Sequence, residues 1–346
     1  MTEEELVELL EKGEIIAFPT DTVYGLIALP DEENVEKIYA LKERDRSRPV
    51  GLFLPDKKSL DNIVSIDTEE IEKLTSFWPG ALTLVLPVIN SFFPYLQKNG
   101  KIGFRIPDSP LLIKILNKTG PLIQTSANIS GKPTPITFNE IKQIFDGHVV
   151  VVEGMAGNLS STVLEYRDGT WVVLRKGSIP VVKIKKETGV PVAIRDELNI
   201  LFLCTGNIER SPMAEAIARS IFKDLPVNVR SRGTFLGGAP YSNIAQKAVE
   251  KLGYERIEGI SKTVSTEDLK WADLVLVMEK KHLEFIEENF PEFKDRAFLL
   301  SDDDVPDPVG LGEKTHELVA RIIEQAIKTR WLEFIKTFFN QQRGKA

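Results

Sequence analysis

A single cysteine, Cys204, stands in 346 residues. That scarcity excludes an internal disulfide framework and any zinc site built on cysteine pairs. Histidine is almost as rare: His148, His282 and His316 are the only three, they show no ligand spacing, and they read as surface or internally satisfied side chains. No apolar run approaches the ~20 residues of a membrane helix, and neither a repeat nor a low-complexity tract interrupts the pattern. The start, Met1-Thr2-Glu3-Glu4-Glu5-Leu6, is acidic and lacks the basic-then-apolar layout of a secretory signal. The expectation is a cytoplasmic chain with no membrane partner. Basic excess is lacking too: a net charge of −7 argues against wholesale coating of nucleic acid and leaves room only for a local basic patch.

What is present is globular in composition, 42% hydrophobic and 27% charged, and long enough for two domains with a core each. The pattern breaks at 181–197, where Lys183, Lys185, Lys186, Gly189 and Pro191 gather. This reads as a linker between domains 1–180 and 198–346, and its Val181, Val182, Ile184, Val190 and Val192 suggest that it packs on one of them. Before it, strand candidates (15–18, 82–88, 149–152, 171–174) mix with helical stretches at about 3–11, 34–42 and 110–117, an α/β arrangement. After it the alternation is cleaner. Strands at 200–203, 227–230, 274–278 and 297–300 are separated by helices from Pro212, near 242–252 and after Lys281, and a long helix follows from about 314. That order predicts a doubly wound parallel sheet, with ligands at the carboxyl ends of its strands.

The strand at 200–203 runs into Cys204-Thr205-Gly206-Asn207-Ile208-Glu209-Arg210-Ser211-Pro212, a Cys-X5-Arg loop opening a helix. Such a loop aims backbone N–H groups at one point, and the helix N-terminus favours a dianion there. Thr205, Gly206, Asn207, Ile208 and Glu209 are the expected phosphate cradle. N–H donors, Arg210 and the helix end stabilise Cys204 as a thiolate nucleophile. Arg210 offers a planar fork for two phosphate oxygens, and the Ser211 hydroxyl can support the sulfur as leaving group. A lone cysteine is otherwise an inert small hydrophobe; its surroundings argue for chemistry here.

This stretch, with Ser231-Arg232-Gly233-Thr234, Trp271 to Met278, and Asp304-Val305-Pro306-Asp307-Pro308, resembles the low-molecular-weight protein tyrosine phosphatases over nearly all of 198–330. The resemblance implies a phosphomonoesterase that works without a cofactor through a phosphocysteine, with Asp307 protonating the leaving oxygen and then activating water. A calcium loop at Asp302, Asp303, Asp304 and Asp307 is disfavoured because no glycine-centred ligand spacing follows. Glu209 stands where the family has a second cysteine, so peroxide should inactivate Cys204 irreversibly, and a single cysteine excludes an arsenate reductase. The bacterial protein-arginine phosphatases resemble the loop as well, but carry threonine at the position of Ile208. An apolar side chain there suits an aromatic ring, which makes phosphotyrosine the expectation and phosphoarginine the alternative. A phosphopeptide-binding module without turnover is a third reading, against which Cys204, Arg210 and Asp307 together weigh.

In the first half, four clusters end apolar elements: Phe18 to Leu26, Leu41 to Pro49, Gln124 to Gly131, and Ser161-Thr162-Val163 with Leu174-Arg175-Lys176-Gly177. Lys42, Arg44, Arg46 and Arg48 place four cations in seven residues, which fits a polyphosphate or nucleic-acid backbone, though a basic helix end has the same composition. Ser126 and Asn128 flank a small Ala127 and could contact phosphate or base, or simply form a turn.

Together the clusters resemble the YrdC-like threonylcarbamoyl-AMP synthases over about residues 5–180. The resemblance implies a twisted α/β sheet with a concave basic cavity, and a reaction of L-threonine, bicarbonate and ATP, with Mg²⁺ on its phosphates, to threonylcarbamoyl-AMP and pyrophosphate. That product feeds threonylcarbamoyladenosine modification of tRNA. By position, Lys42, Arg44, Arg46 and Arg175 would hold the triphosphate, Ser126 and Asn128 the nucleotide, and Thr20, Arg105, Thr125 and Ser161 the threonine, with Arg105 meeting its carboxylate. An RNA-binding module without synthase activity is the alternative; the intact Lys-X-Arg and Ser-X-Asn pairs favour the enzyme.

Overall fold

The structure is a computed structural model describing residues 1–61, 63–66, 68–89, 91–145, 147–235 and 237–339. It divides into two compact units, Met1–Ile179 and Pro180–Ala346. Among the described residues no helix is long and apolar enough to cross a membrane.

The first unit is a mixed α/β sheet. Among the described residues, strands β1 (Ile16–Pro19), β2 (Tyr24–Ala28), β3 (Gly51–Phe53), β4 (Leu82–Pro87), β5 (Lys101–Arg105), β6 (Leu122–Ser126), β7 (Val150–Val151), β8 (Thr162–Arg167) and β9 (Thr170–Arg175) lie in the order β9-β8-β4-β5-β3-β6-β2-β1-β7. Pairing is mostly antiparallel, with parallel steps at β1/β7, β3/β5 and β4/β8. Five helices accompany it: α1 (Glu3–Glu11), α2 (Glu32–Leu41), α3 (Glu69–Leu74), α4 (Pro110–Thr119) and α5 (Phe138–Phe145). α1 starts at a reciprocal cap, in which Thr2 Oγ1 accepts the Glu5 N–H and the Glu5 carboxylate accepts the Thr2 N–H. Its Leu6 and Leu10 join Leu112, Ile115 and Leu116 of α4 over Ile16, Phe18, Ile27 and Phe53 of the sheet. One face of the sheet is thereby sealed. α2 begins two residues before the periodicity suggests, because Asp31 caps it by accepting the Asn34 N–H at 2.8 Å. Lys42 therefore falls just past the helix end.

The second unit opens with the stretch read as a linker. It is folded: α6 (Val181–Thr188) buries Val181, Val182 and Ile184 and ends on Gly189 in the left-handed conformation, φ 67°, before a two-residue strand β10 (Val192–Ala193). Lys183 pairs with Asp295, and Lys186 lies over the Phe298 ring. Strands β11 (Leu198–Cys204), β12 (Val227–Gly233), β13 (Leu274–Val277) and β14 (Ala297–Leu299) stand in the order β12-β11-β13-β14, all parallel. Helices α7 (Arg210–Ile221), α8 (Asn243–Lys251), α9 (Thr266–Trp271), α10 (Lys280–Asn289) and α11 (Glu313–Ala326) connect or follow them, and α11 continues through a π-helical stretch, 327–332, into α12 (Glu333–Lys336). Strand order reverses around central β11, so its carboxyl end, where Cys204 sits, is the crevice such sheets offer to ligands.

Candidate active sites

The open face of the first sheet carries a cavity of about 550 Å³. It exists because the strands give up side chains there. Gly25, Gly51 and Gly103 line it, and a Cβ added to Gly51 would lie 2.6 Å from Gln124 Nε2 and 2.7 Å from Gly103 O. Arg44, Arg48, Lys98, Lys101, Arg105, Arg167 and Arg175 face a single acid in its lining, Glu165. The whole chain is acidic; this surface is not.

Each cation is held in its own way. Arg44 donates to the carbonyls of Arg48 at 2.7 Å and Pro49 at 3.0 Å, so no carboxylate compensates it in these bonds. Arg175 donates to Ser161 O at 2.9 Å and Ser161 Oγ at 2.8 Å, and that hydroxyl also meets Thr83 Oγ1 at 2.8 Å. Burial, then the charges of Arg105 and Arg44, pull Arg175 below the usual guanidinium range, as expected where like charges converge. Arg105 is buried and engaged with Asp21 Oδ2 at 2.5 Å, Thr22 Oγ1 at 2.7 Å and Gly80 O at 2.8 Å. Thr20 Oγ1 donates to Val23 O at 2.7 Å.

The expected site residues part company here. Thr20, Arg44, Arg105, Thr125, Ser126, Ser161 and Arg175 line the cavity; Lys42, Arg46 and Asn128 do not appear in its lining. Arg46 is 72% exposed and pairs with Glu36. Lys42 is fully buried. Its Nζ donates to Ser126 O, to Asn128 O at 2.7 Å and to Asn128 Oδ1 at 3.3 Å, while Ser126 Oγ meets that same amide oxygen at 2.6 Å. Burial pulls Lys42 down to about 7. Three acceptors around Nζ are nonetheless what an ammonium with three N–H bonds satisfies and a neutral amine does not, so we assign the charged form. In this arrangement Lys42 staples the Ser126–Asn128 turn to the end of α2. Arg48, one of the four clustered cations, joins Arg44 in the lining, whereas Lys98, Lys101 and Arg167 had no signal in the sequence; Lys101 and Arg167 reach the cavity from strands β5 and β8.

In the second unit Cys204 ends β11 and Arg210 begins α7. The loop between them is wound by Asn207, a buried residue in the left-handed conformation at φ 51°. Its N–H points at Cys204 Sγ, 3.2 Å away; its amide nitrogen donates to Ser211 Oγ at 3.0 Å and Ser231 Oγ at 2.9 Å, and its amide oxygen accepts the Lys262 N–H at 2.9 Å. Outward, the loop carbonyls of Cys204, Thr205 and Ile208 accept the N–H groups of Thr234, Phe235 and Ser242. Gly233 makes this possible, since a Cβ there would lie 2.7 Å from Thr205 O and 3.0 Å from Asn207 N.

Ser211 Oγ lies 3.0 Å from Cys204 Sγ and 3.1 Å from Arg232 O. With Asn207 donating to its oxygen, Ser211 has one proton for two acceptors, and a thiolate is the stronger. Arg210, 1% exposed, pairs with Glu279 and with Asp307 Oδ2 at 2.5 Å, and donates to Val305 O at 2.9 Å. Burial pushes Glu279 up, but its bonds to Lys281 and Arg210 outweigh this and leave its carboxyl below the usual range. Glu209 reaches the buried His316 Nε2. Phe235, 66% exposed, stands beside the loop through its N–H bond to Thr205 O. Glu279 escaped the sequence reading, and the contacts of Ser231, His282 and His316 with the loop were not legible there; each touches the loop from 20 or more positions away.

A family model described as Telomere recombination (Sua5/YciO/YrdC) matches residues 8–177, and one described as Low molecular weight phosphotyrosine protein phosphatase matches residues 199–339. The chain is 33% identical over 182 residues to the threonylcarbamoyl-AMP synthase of Photobacterium profundum, an alignment covering 50% of this chain and 98% of that protein. The chain spans only 55% of the length of two other curated threonylcarbamoyl-AMP synthases that it matches. Among solved structures, YwlE arginine phosphatase from Geobacillus stearothermophilus is 34% identical, with 43% of this chain and 98% of that one covered and a TM-score of 0.39. Sua5 of P. abyssi complexed with L-threonine, 21% identical with 94% of each chain covered and a TM-score of 0.52, is a likeness of fold.

Proposed function

We propose, for a chain whose first unit belongs to the Sua5/YciO/YrdC family of threonylcarbamoyl-AMP synthases and whose second belongs to the low-molecular-weight phosphatases, that it is a bifunctional enzyme working in the cytoplasm. The first unit converts L-threonine, bicarbonate and ATP into threonylcarbamoyl-AMP and pyrophosphate, and this product feeds adenosine modification in tRNA. The observation that carries this reading is the cavity, hollowed by glycines and lined by seven cations against one acid, which suits a triphosphate, a bicarbonate ion and an amino-acid carboxylate. Arg44 and Arg175 meet the phosphates; Thr20, Thr125, Ser161 and Arg105 wall the threonine; Ser126 sits on the nucleotide side. Lys42 and Asn128 serve by fixing Ser126. Catalysis here is positioning and charge neutralisation. Glu165, the acid in the lining, is tied to Lys101 and Arg167, and among the described residues no group of three acidic, histidine or cysteine side chains could hold a metal. Mg²⁺ enters as a ligand of the triphosphate, whose charge it neutralises. Pyrophosphate release that requires both threonine and bicarbonate tests the reading; RNA binding without such release would leave only the binding module.

The second unit hydrolyses phosphate esters through Cys204. The thiolate attacks phosphorus, Arg210 and the loop N–H groups hold the equatorial oxygens, and Asp307 protonates the leaving oxygen and then activates water. Ile208 and the exposed Phe235 offer an apolar and an aromatic surface at the loop, which favours phosphotyrosine. Phosphoarginine is the second reading, favoured by the relation to an arginine phosphatase. Hydrolysis of para-nitrophenyl phosphate beside phosphotyrosine and phosphoarginine peptides decides between them, and absence of any turnover would sink both. With Glu209 in place of a second cysteine, no loop disulfide can trap a Cys204 sulfenic acid, so excess peroxide carries the sulfur on to the sulfinic acid, which dithiothreitol does not reduce.

A further inference from the structure

His282 has no part in the chemistry above, yet it is 1% exposed and both ring nitrogens are bonded. Nδ1 lies 3.1 Å from the Glu279 backbone nitrogen, and Nε2 lies 3.0 Å from Thr205 Oγ1. A backbone N–H only donates, so Nδ1 is the acceptor and the proton of the neutral ring sits on Nε2. That proton is donated to Thr205 Oγ1, which leaves the Thr205 hydroxyl proton to point elsewhere.

The setting gives the bond its meaning. Glu279 is the N-cap of α10 and His282 its third residue, so the ring takes the place that Glu or Gln usually fills in a reciprocal cap. The residue whose N–H it holds is the one whose carboxylate pairs with Arg210. One turn thus grips the phosphate loop at both ends, at Thr205 beside the nucleophile and at Arg210. A flexible Gln could make the cap alone; a rigid ring with nitrogens on two sides reaches both partners in fixed directions.

We infer that His282 is a positioning residue of the phosphatase site, which as its Nε2–H tautomer fixes Thr205 directly and Arg210 through Glu279. The inference rests on the phosphatase reading of this unit. Protonation would set an Nδ1–H against the Glu279 N–H, so the clamp requires a neutral ring. Burial holds His282 down to about 4, with Arg210 and Lys281 pushing the same way and Glu279 and Asp304 opposing.

H282Q keeps the helix cap and removes the Thr205 contact, which separates positioning from mere folding. With para-nitrophenyl phosphate and the full chain, H282Q and T205V should each lower kcat by about tenfold, with thermal midpoints close to wild type. The double variant should be no slower than either single one, because both remove the same interaction, and T205S should restore most of the rate lost in T205V. Wild-type turnover in H282Q, or losses that multiply in the double variant, would overturn the inference. Ring ¹⁵N signals give a readout independent of turnover: Nε2 protonated and Nδ1 bare from about pH 8 to about pH 5. The opposite tautomer, or a titration within that range, also overturns it. If the wild type does not hydrolyse the ester, the phosphatase reading falls and the nitrogen signals alone decide the clamp.

Discussion

The two sites differ in how much of their positive charge is compensated: the first pairs Arg105 with Asp21, and Lys101 and Arg167 with Glu165, but seats other cations on neutral oxygens. In the first unit Arg44 and Arg175 rest on carbonyl and hydroxyl oxygens, so the cavity keeps a standing positive potential that draws polyanions from a distance. In the second unit Arg210 lies between two carboxylates, Glu279 and Asp307. These bonds and the one to Val305 O use three of the five N–H donors of Arg210, so a phosphate there would share the guanidinium with the carboxylates or displace one. Displacement of Asp307 would leave a free carboxylate beside the phosphate, where the proposed hydrolysis calls for an acid and base. Uncompensated cations suit a site that mainly gathers and aligns; a compensated one suits a site that also moves protons.

The sharpest way to break this contrast is C204S. It should abolish para-nitrophenyl phosphate hydrolysis, by roughly a thousandfold or more, and leave threonine-dependent pyrophosphate release unchanged; residual turnover near wild type would remove the covalent step from the second unit. Next, R210K should cost about a hundredfold in kcat/KM, because a point charge cannot replace the fork that meets phosphate and both carboxylates. A loss of only twofold would mean that Arg210 is structural. The pH dependence of stability offers a third test. Below about 6.5 the unfolded chain takes up a proton that the folded His282 refuses until about 4. Unfolding free energy should therefore fall as pH drops through that window, by roughly 3 kcal/mol at most, with the slope reduced in H282Q; equal slopes in the two chains would locate the effect elsewhere. In the first unit R44M should raise KM for ATP about tenfold with a smaller effect on kcat, whereas R46A, which removes an exposed ion pair, should stay within about twofold. Equal effects of R44M and R46A would show that proximity to the cavity is not what matters.

Legibility in the sequence follows the same division. The second unit's strands and helices were readable because its most buried strand stretches, Ile200–Leu203 and Leu274–Val277, are continuous apolar runs between helical periodicities, and its nucleophile, arginine and hydroxyl lie within eight residues. The first unit's β2, β3, β5, β6 and β8 were not. Their cavity side carries Gly25, Gly51, Gly103, Gln124, Ser126 and Glu165, which erases the apolar alternation that marks a strand. The four-cation run likewise could not tell its members apart: Arg44 and Arg48 turn to the cavity, Lys42 turns inward and Arg46 outward, a choice made by the end of α2 and the turn after it. The reading of histidine as an internally satisfied side chain holds for His282 and His316, both buried and bonded; what the sequence could not show is that their partners lie 77 and 107 positions away.

The winding of the phosphate loop also bears on whether it can be transplanted. Asn207 holds its left-handed turn with Ser211 inside the loop region, but its remaining bonds go to Ser231 and to the Lys262 backbone, and the space it needs is left open by Gly233. The eight residues from Cys204 to Ser211 are therefore not a portable module. Grafted onto another strand-to-helix junction without those three supports, they would keep their spelling and lose their shape.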